Sequence, residues 1–230
     1  MDGFRHFYRE AGEGEPLLLL HGNGEDSTYF SHQLAEFASC YHVYALDTRG
    51  HGRSPRGTAP FTLRQFAEDL LGFLDRMGME RAHILGFSDG ANIAMAFALA
   101  HPERVGKLVL NGGNLDPGGV KASFQLLIEG EYRLLRPFAG LSPRLRRRTE
   151  LLGLMVNEPN LTPEDLAGIT APTLVLAGDR DLIRDAHTRT IAAHLPRGEL
   201  AILPGGHTVA QTCYQTFNRR VLDFLTGHPG

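Results

Sequence analysis

The pentapeptide Gly86-Phe87-Ser88-Asp89-Gly90 sets a serine between two glycines, directly after an aliphatic run and before a segment that reads as helix. That is the pattern of a sharp strand–turn–helix elbow. So tight a turn strains the serine backbone, and the flanking glycines carry no side chain to collide. The hydroxyl oxygen is thereby presented at a helix start, where amide groups favour developing negative charge. Serine is a weak nucleophile, so acyl-transfer chemistry needs a base and a group that orients the base. Two further aliphatic runs end in suitable residues: one leads into Gly178-Asp179-Arg180-Asp181, the other into Gly205-Gly206-His207. The candidate set is Ser88 as nucleophile, His207 as base and Asp181 as its orienting carboxylate. Asp179 and Asp116 are alternative acids, and His51, on another strand-end loop, is an alternative base. A fourth run ends in His21-Gly22-Asn23-Gly24. The backbone N–H groups of Asn23 and Asp89 are the candidate donors to a tetrahedral oxyanion, and His21 is read as a brace of its own loop.

Elements must exist to hold these residues together. Six short runs of Leu, Val, Ile and Ala, at 16–21, 42–47, 82–86, 107–111, 173–178 and 200–204, show no alternation. Such runs suit strands buried on both faces of a parallel sheet. Helix-period segments lie between them. Residues 29–37 carry Phe30, Leu34 and Phe37, and residues 62–79 put Phe66, Leu70, Leu71 and Leu74 on one face behind Thr62 as N-cap. Residues 91–100 are apolar all round, and 191–195 and 217–225 complete the set; residues 4–8 are expected as a hairpin or edge strand. Strands alternating with helices predict an α/β class with a doubly wound, mostly parallel sheet, whose strand carboxyl ends collect function. From about 115 to 169 the pattern is helical without a strand. It predicts a short helical lid inserted into a single domain spanning 1–230.

Composition narrows the classes. With 230 residues, 42% hydrophobic and 21% charged, the chain can bury a core, which excludes intrinsic disorder. A net charge of −3 offers no general field for nucleic acid. Cys40 and Cys213 cannot build a disulfide framework and lack zinc-site spacing, so they are expected as small buried residues in a reducing compartment, with no metal. The first 14 residues are polar, and the longest aliphatic run is 17–20, so neither a secretion signal nor a membrane span is expected. The location expected is cytoplasmic.

Taken in chain order, L-L-L-L-H-G-N-G (17–24), D-T-R-G-H-G-R-S (47–54), G-F-S-D-G (86–90), A-P-T-L-V-L-A-G-D-R-D (171–181) and L-P-G-G-H (203–207) make the chain resemble the α/β-hydrolase fold superfamily. The likeness is to its small lid-bearing branch of esterases, enol-lactonases and related C–C and thioester hydrolases. The resemblance implies the chain order Ser88, Asp181, His207, because the family acid usually stands three residues after the strand-end glycine. It also implies that Asp47, Arg49 and His51 are structural and that residues 115–169 are the lid. The expected activity is cleavage of a small ester or related acyl substrate (carboxylester, lactone or thioester) through an acyl-enzyme, with no cofactor. Other readings are a C–C hydrolase or lyase on the same residues, or a ligand-binding receptor of this fold with little turnover. Asp89, beside the nucleophile, would favour a cationic substrate group, or else hydrogen-bond within its own loop. Arg144, Arg146, Arg147 and Arg148 would clamp an anionic group, or else form a solvated helix face.

Overall fold

A computed structural model describes residues 4–227. The six aliphatic runs form parallel strands: β2 (Pro16–Leu20), β3 (His42–Leu46), β4 (Ala82–Phe87), β5 (Val105–Asn111), β6 (Thr173–Gly178) and β7 (Gly198–Leu203). With β1 (Tyr8–Ala11) antiparallel on the edge, they make a seven-stranded sheet in the order β1-β3-β2-β4-β5-β6-β7. The edge strand starts later than its expected 4–8. Phe7 bonds instead to the loop after β3, donating to Ser54 Oγ and accepting from the Asp47 amide, so the ladder opens only at Tyr8.

Alternate residues of each strand enter different cores, which is why the runs are aliphatic throughout. Leu18 and Leu20 join one cluster with Phe66, Leu70 and Phe97, while Leu17 and Leu19 join another with Phe37, Phe217 and Val221. The first layer is made by α2 (Leu63–Arg76), α3 (Asp89–Ala100) and α6 (Asp185–His194), the second by α1 (Ser31–Phe37) and α8 (Tyr214–Thr226). Full burial of each such leucine contributes about 2 kcal/mol of hydrophobic stabilisation. Thr62 caps α2 by accepting from the Gln65 amide at 3.2 Å. The helix stops three residues short of its expected end, where Gly78 takes φ +66°.

Between β5 and β6 the chain forms α4 (Ala122–Leu135), a 3₁₀ turn at Arg136–Leu141 and α5 (Pro143–Asn157), the last capped by Ser142. A short α7 (Val209–Thr212) follows His207. The cysteines depart from expectation. Cys40 is exposed in the turn between α1 and β3, beyond the reach of either core, and Cys213 is half-buried at the α7–α8 junction; both are free. No helix among the described residues is long and apolar enough to cross a membrane.

Candidate active site

Strand β4 ends at Phe87 and α3 begins at Asp89, leaving Ser88 as the whole turn. Ser88 has φ 53° and ψ −120°, and among the described residues it is the only non-glycine with positive φ. Such a conformation costs about 1–3 kcal/mol and persists only where its surroundings over-determine it. They do so here. The Ser88 amide donates to the Asn111 carbonyl at 2.8 Å, and its own carbonyl accepts from the Ala91 amide at 2.8 Å. The glycines of the motif are sterically required: a Cβ at position 86 would meet Gly90 O at 2.2 Å, and one at position 90 would meet Leu20 O at 2.0 Å. The second contact seats the start of α3 directly on the end of β2.

Ser88 Oγ lies 3.0 Å from His207 Nε2, and His207 Nδ1 lies 2.7 Å from Asp181 Oδ1. Asp181 is buried and also accepts from the amides of Ile183 (3.0 Å) and Gly178 (3.3 Å). Burial alone would raise its pKa, but the hydrogen bond and charge of His207, with the two amides, hold it below the ordinary value. A carboxylate on Nδ1 selects the tautomer in which Nδ1 donates and Nε2 is free to accept from the serine hydroxyl. Asp179 turns elsewhere: its Oδ1 accepts from the Gly205 amide at 2.9 Å and pins the loop that carries His207. Asp116 accepts through its carbonyl from Asn114. His51 is buried against Thr48 and the Arg49 carbonyl, where burial pushes its pKa down to about 3.

The loop after β2 approaches the same point. His21 is fully buried; Nδ1 donates to Gly22 O at 2.8 Å and Nε2 accepts from the Thr48 amide at 3.1 Å, so it braces the loop. Asn23 Nδ2 donates to Asp89 Oδ2 at 2.8 Å and to the Leu151 carbonyl of α5 at 3.0 Å. Asp89 Oδ1 accepts from Asn92 Nδ2 at 3.3 Å. Burial raises the Asp89 pKa against these two bonds. Among the described residues no protein group accepts from the backbone amides of Asn23 or Asp89. The loop at 47–54 is tied internally, Asp47 accepting from the Ser27 and Arg53 amides and Arg49 pairing with Asp69 inside the protein.

Above Ser88 is a cavity of about 180 Å³, lined by residues of the β2 loop, the elbow, α4, the end of α5 and the His207 loop. A larger depression of about 740 Å³ lies between α2, α3 and residues 157–161, but Ser88 does not line it. Three lining residues of the Ser88 cavity carried no local signal in the sequence: Glu25, Gln125 and Glu158. Each stands in an unremarked loop or helix and reaches the site only through folding. Glu25 accepts from the Gly22 amide, and burial pushes its pKa up to about 6. The arginines of α5 do not line the cavity. Arg148 pairs with Glu131, Arg147 donates to Gly50 O, and all four are exposed.

Residues 15–140 match the sequence profile of the α/β hydrolase fold. The chain belongs to the α/β-hydrolase fold family. It is 34% identical to the 2-hydroxy-6-oxononadienedioate/2-hydroxy-6-oxononatrienedioate hydrolase 2 of Pseudomonas putida, across 95% of this chain and 90% of that protein. It is 30% identical to a protein of Caulobacter sp. (strain K31) that bears the name of a carbamate hydrolase, RutD, across 99% of this chain and 97% of the other. Among solved structures, Est816, described as an N-acyl homoserine lactone degrading enzyme, superposes on this α/β-hydrolase with a TM-score of 0.80. The two share 28% identity across 97% of this chain and 98% of Est816.

Proposed function

We infer that this α/β-hydrolase cleaves a small ester or related acyl substrate (carboxylester, lactone or thioester) through an acyl-enzyme. The observation that carries the reading is the continuous hydrogen-bonded chain from Ser88 through His207 to Asp181, mounted on a strained elbow. Ser88 Oγ attacks the carbonyl carbon while His207 Nε2 takes its proton, and Asp181 stabilises the imidazolium that forms. The tetrahedral oxyanion receives the backbone N–H groups of Asn23 and Asp89. His207 then returns the proton to the leaving group, and a water activated by the same imidazole releases the acyl-enzyme. The lactone-degrading activity described for Est816 agrees with this chemistry.

A second reading, C–C bond cleavage, takes its support from the name of the Pseudomonas putida relative. That name describes a substrate with two carboxylates. Among the described residues neither lysine nor arginine lines the cavity above Ser88 to receive them, which favours the ester reading. The test is labelling with a fluorophosphonate followed by steady-state hydrolysis of p-nitrophenyl butyrate. Wild type should label and turn over many equivalents, and Ser88→Ala should lose both. Absence of labelling and turnover in the wild type would overturn the assignment.

A further inference from the structure

The cavity wall is unbalanced in its hydrogen-bonding chemistry. Among the described residues three carboxylates line it (Glu25, Asp89 and Glu158) together with the amide of Gln125, and no lysine or arginine does. Gln125 is only 8% exposed. Its Nε2 donates to Glu129 Oε1 at 3.3 Å, and among the described residues its Oε1 is enclosed without a partner. Turning the amide over would set its oxygen against the Glu129 carboxylate, so the unpartnered end is the acceptor. Glu158 receives one bond, at Oε2 from the Leu63 amide at the start of α2, at 2.7 Å. Among the described residues its other oxygen receives none.

The four groups divide by what faces them. Glu25 and Asp89 both feel the charge of His207, so the imidazolium formed during turnover accounts for them. Asp89 is further occupied by Asn23 and Asn92. Glu158 instead feels the negative charge of Asp89, and Gln125 faces Glu129. A buried acceptor without a donor and a half-buried carboxylate without a cation are both unfavourable in isolation. Each is satisfied by a ligand that brings N–H donors and positive charge.

We propose that the substrate of this site carries an ammonium group, bound between Gln125 Oε1 of α4 and the Glu158 carboxylate at the end of α5. The proposal rests on the serine-hydrolase reading and adds the substrate's charge to it. It moves cation recognition away from Asp89, the residue next to the nucleophile, whose carboxylate is used within the protein. It also separates this chain from relatives named for dicarboxylate substrates, since two further negative charges would enter a wall that already holds three carboxylates.

Three ethyl esters of matched chain length test it at pH 7 by acid release in a pH-stat: ethyl β-alaninate (ammonium), ethyl butyrate (neutral) and monoethyl succinate (carboxylate). The expected order of kcat/KM is β-alaninate, then butyrate, then succinate, with the first ratio about tenfold or more. Glu158→Gln should bring the β-alaninate to butyrate ratio close to one. Gln125→Glu, which adds charge without touching the Leu63 bond, should raise that ratio and keeps the test valid if Glu158→Gln fails to fold. Equal kcat/KM for the three wild-type reactions, a preference for the succinate, or ratios unchanged in both variants would overturn the proposal. Ser88-dependent hydrolysis of ethyl butyrate with no charge preference would sink the ammonium site alone. Loss of Ser88-dependent hydrolysis for all three esters would remove the hydrolase reading beneath it.

Discussion

Glu25→Gln should stabilise the protein at pH 8 and do so much less at pH 4.5. Glu25 sits where the β2 loop meets the cavity, and burial lifts its pKa from 4.5 to about 6, against the Gly22 amide that donates to Oε2 at 3.1 Å. A carboxyl whose folded pKa is raised holds its proton more tightly in the folded state. Stability therefore falls as pH rises from 4.5 to about 6, and the whole penalty is present above that window. The rise from 4.5 to about 6, at about 1.4 kcal/mol per tenfold change in proton affinity, sets a ceiling of about 2 kcal/mol. Solvent screening at a side chain that is not fully buried reduces this to about 1 kcal/mol. Glutamine carries no charge to desolvate and can still accept from the Gly22 amide through its own oxygen. Urea denaturation of both proteins at each pH supplies the assay, because other titrating groups cancel in the difference between them. The variant should gain about 1 kcal/mol more, relative to wild type, at pH 8 than at pH 4.5. An equal difference at the two pH values, or a variant less stable than wild type at pH 8, would refute the reasoning.

Asp181→Asn keeps the side-chain volume but places an amide against His207 Nδ1, disfavouring the tautomer in which Nε2 accepts from Ser88. Ester kcat should fall by about 10⁴, with melting temperature measured alongside to exclude unfolding; a loss below tenfold would argue that another acid serves His207. Asn23→Ala retains the backbone amide proposed for the oxyanion but removes the side-chain bonds to Asp89 and to the Leu151 carbonyl. A hydrogen bond to a charged group contributes about 1.5–3 kcal/mol, so kcat and boronate affinity should both drop by about tenfold or more, with a smaller change in KM. An unchanged boronate affinity would show that the bridge does not position the oxyanion donors.

The residues of the elbow were legible because their requirements are local. A serine forced to positive φ needs small neighbours on both sides, and the glycines at 86 and 90 state that need in the chain itself. The strands were legible for a similar reason: burial on both faces demands unbroken aliphatic runs, and the runs at 16–21 and 173–178 are almost the strands observed. Helix ends and the edge strand drifted by a few residues, since their bounds depend on partners such as Ser54 and Gly78 rather than on periodicity. Cys40 is exposed where burial is expected, because an apolar residue type does not reveal whether its turn faces a core.

What the sequence determined by itself was therefore the class of fold, the candidate nucleophile and a short list of candidate partners, all written in steric patterns spanning a few residues. Only tertiary structure distinguishes the surroundings of Asp181 and Asp179, two positions apart on one loop: in the closed loop Asp181 faces His207 while Asp179 holds Gly205. It alone turned Asp89 inward to Asn23 and Asn92, and it alone brought Glu25, Gln125 and Glu158 to one wall. Glu25 and Glu158 stand 133 positions apart with Gln125 between them, and the field they make together exists only through space.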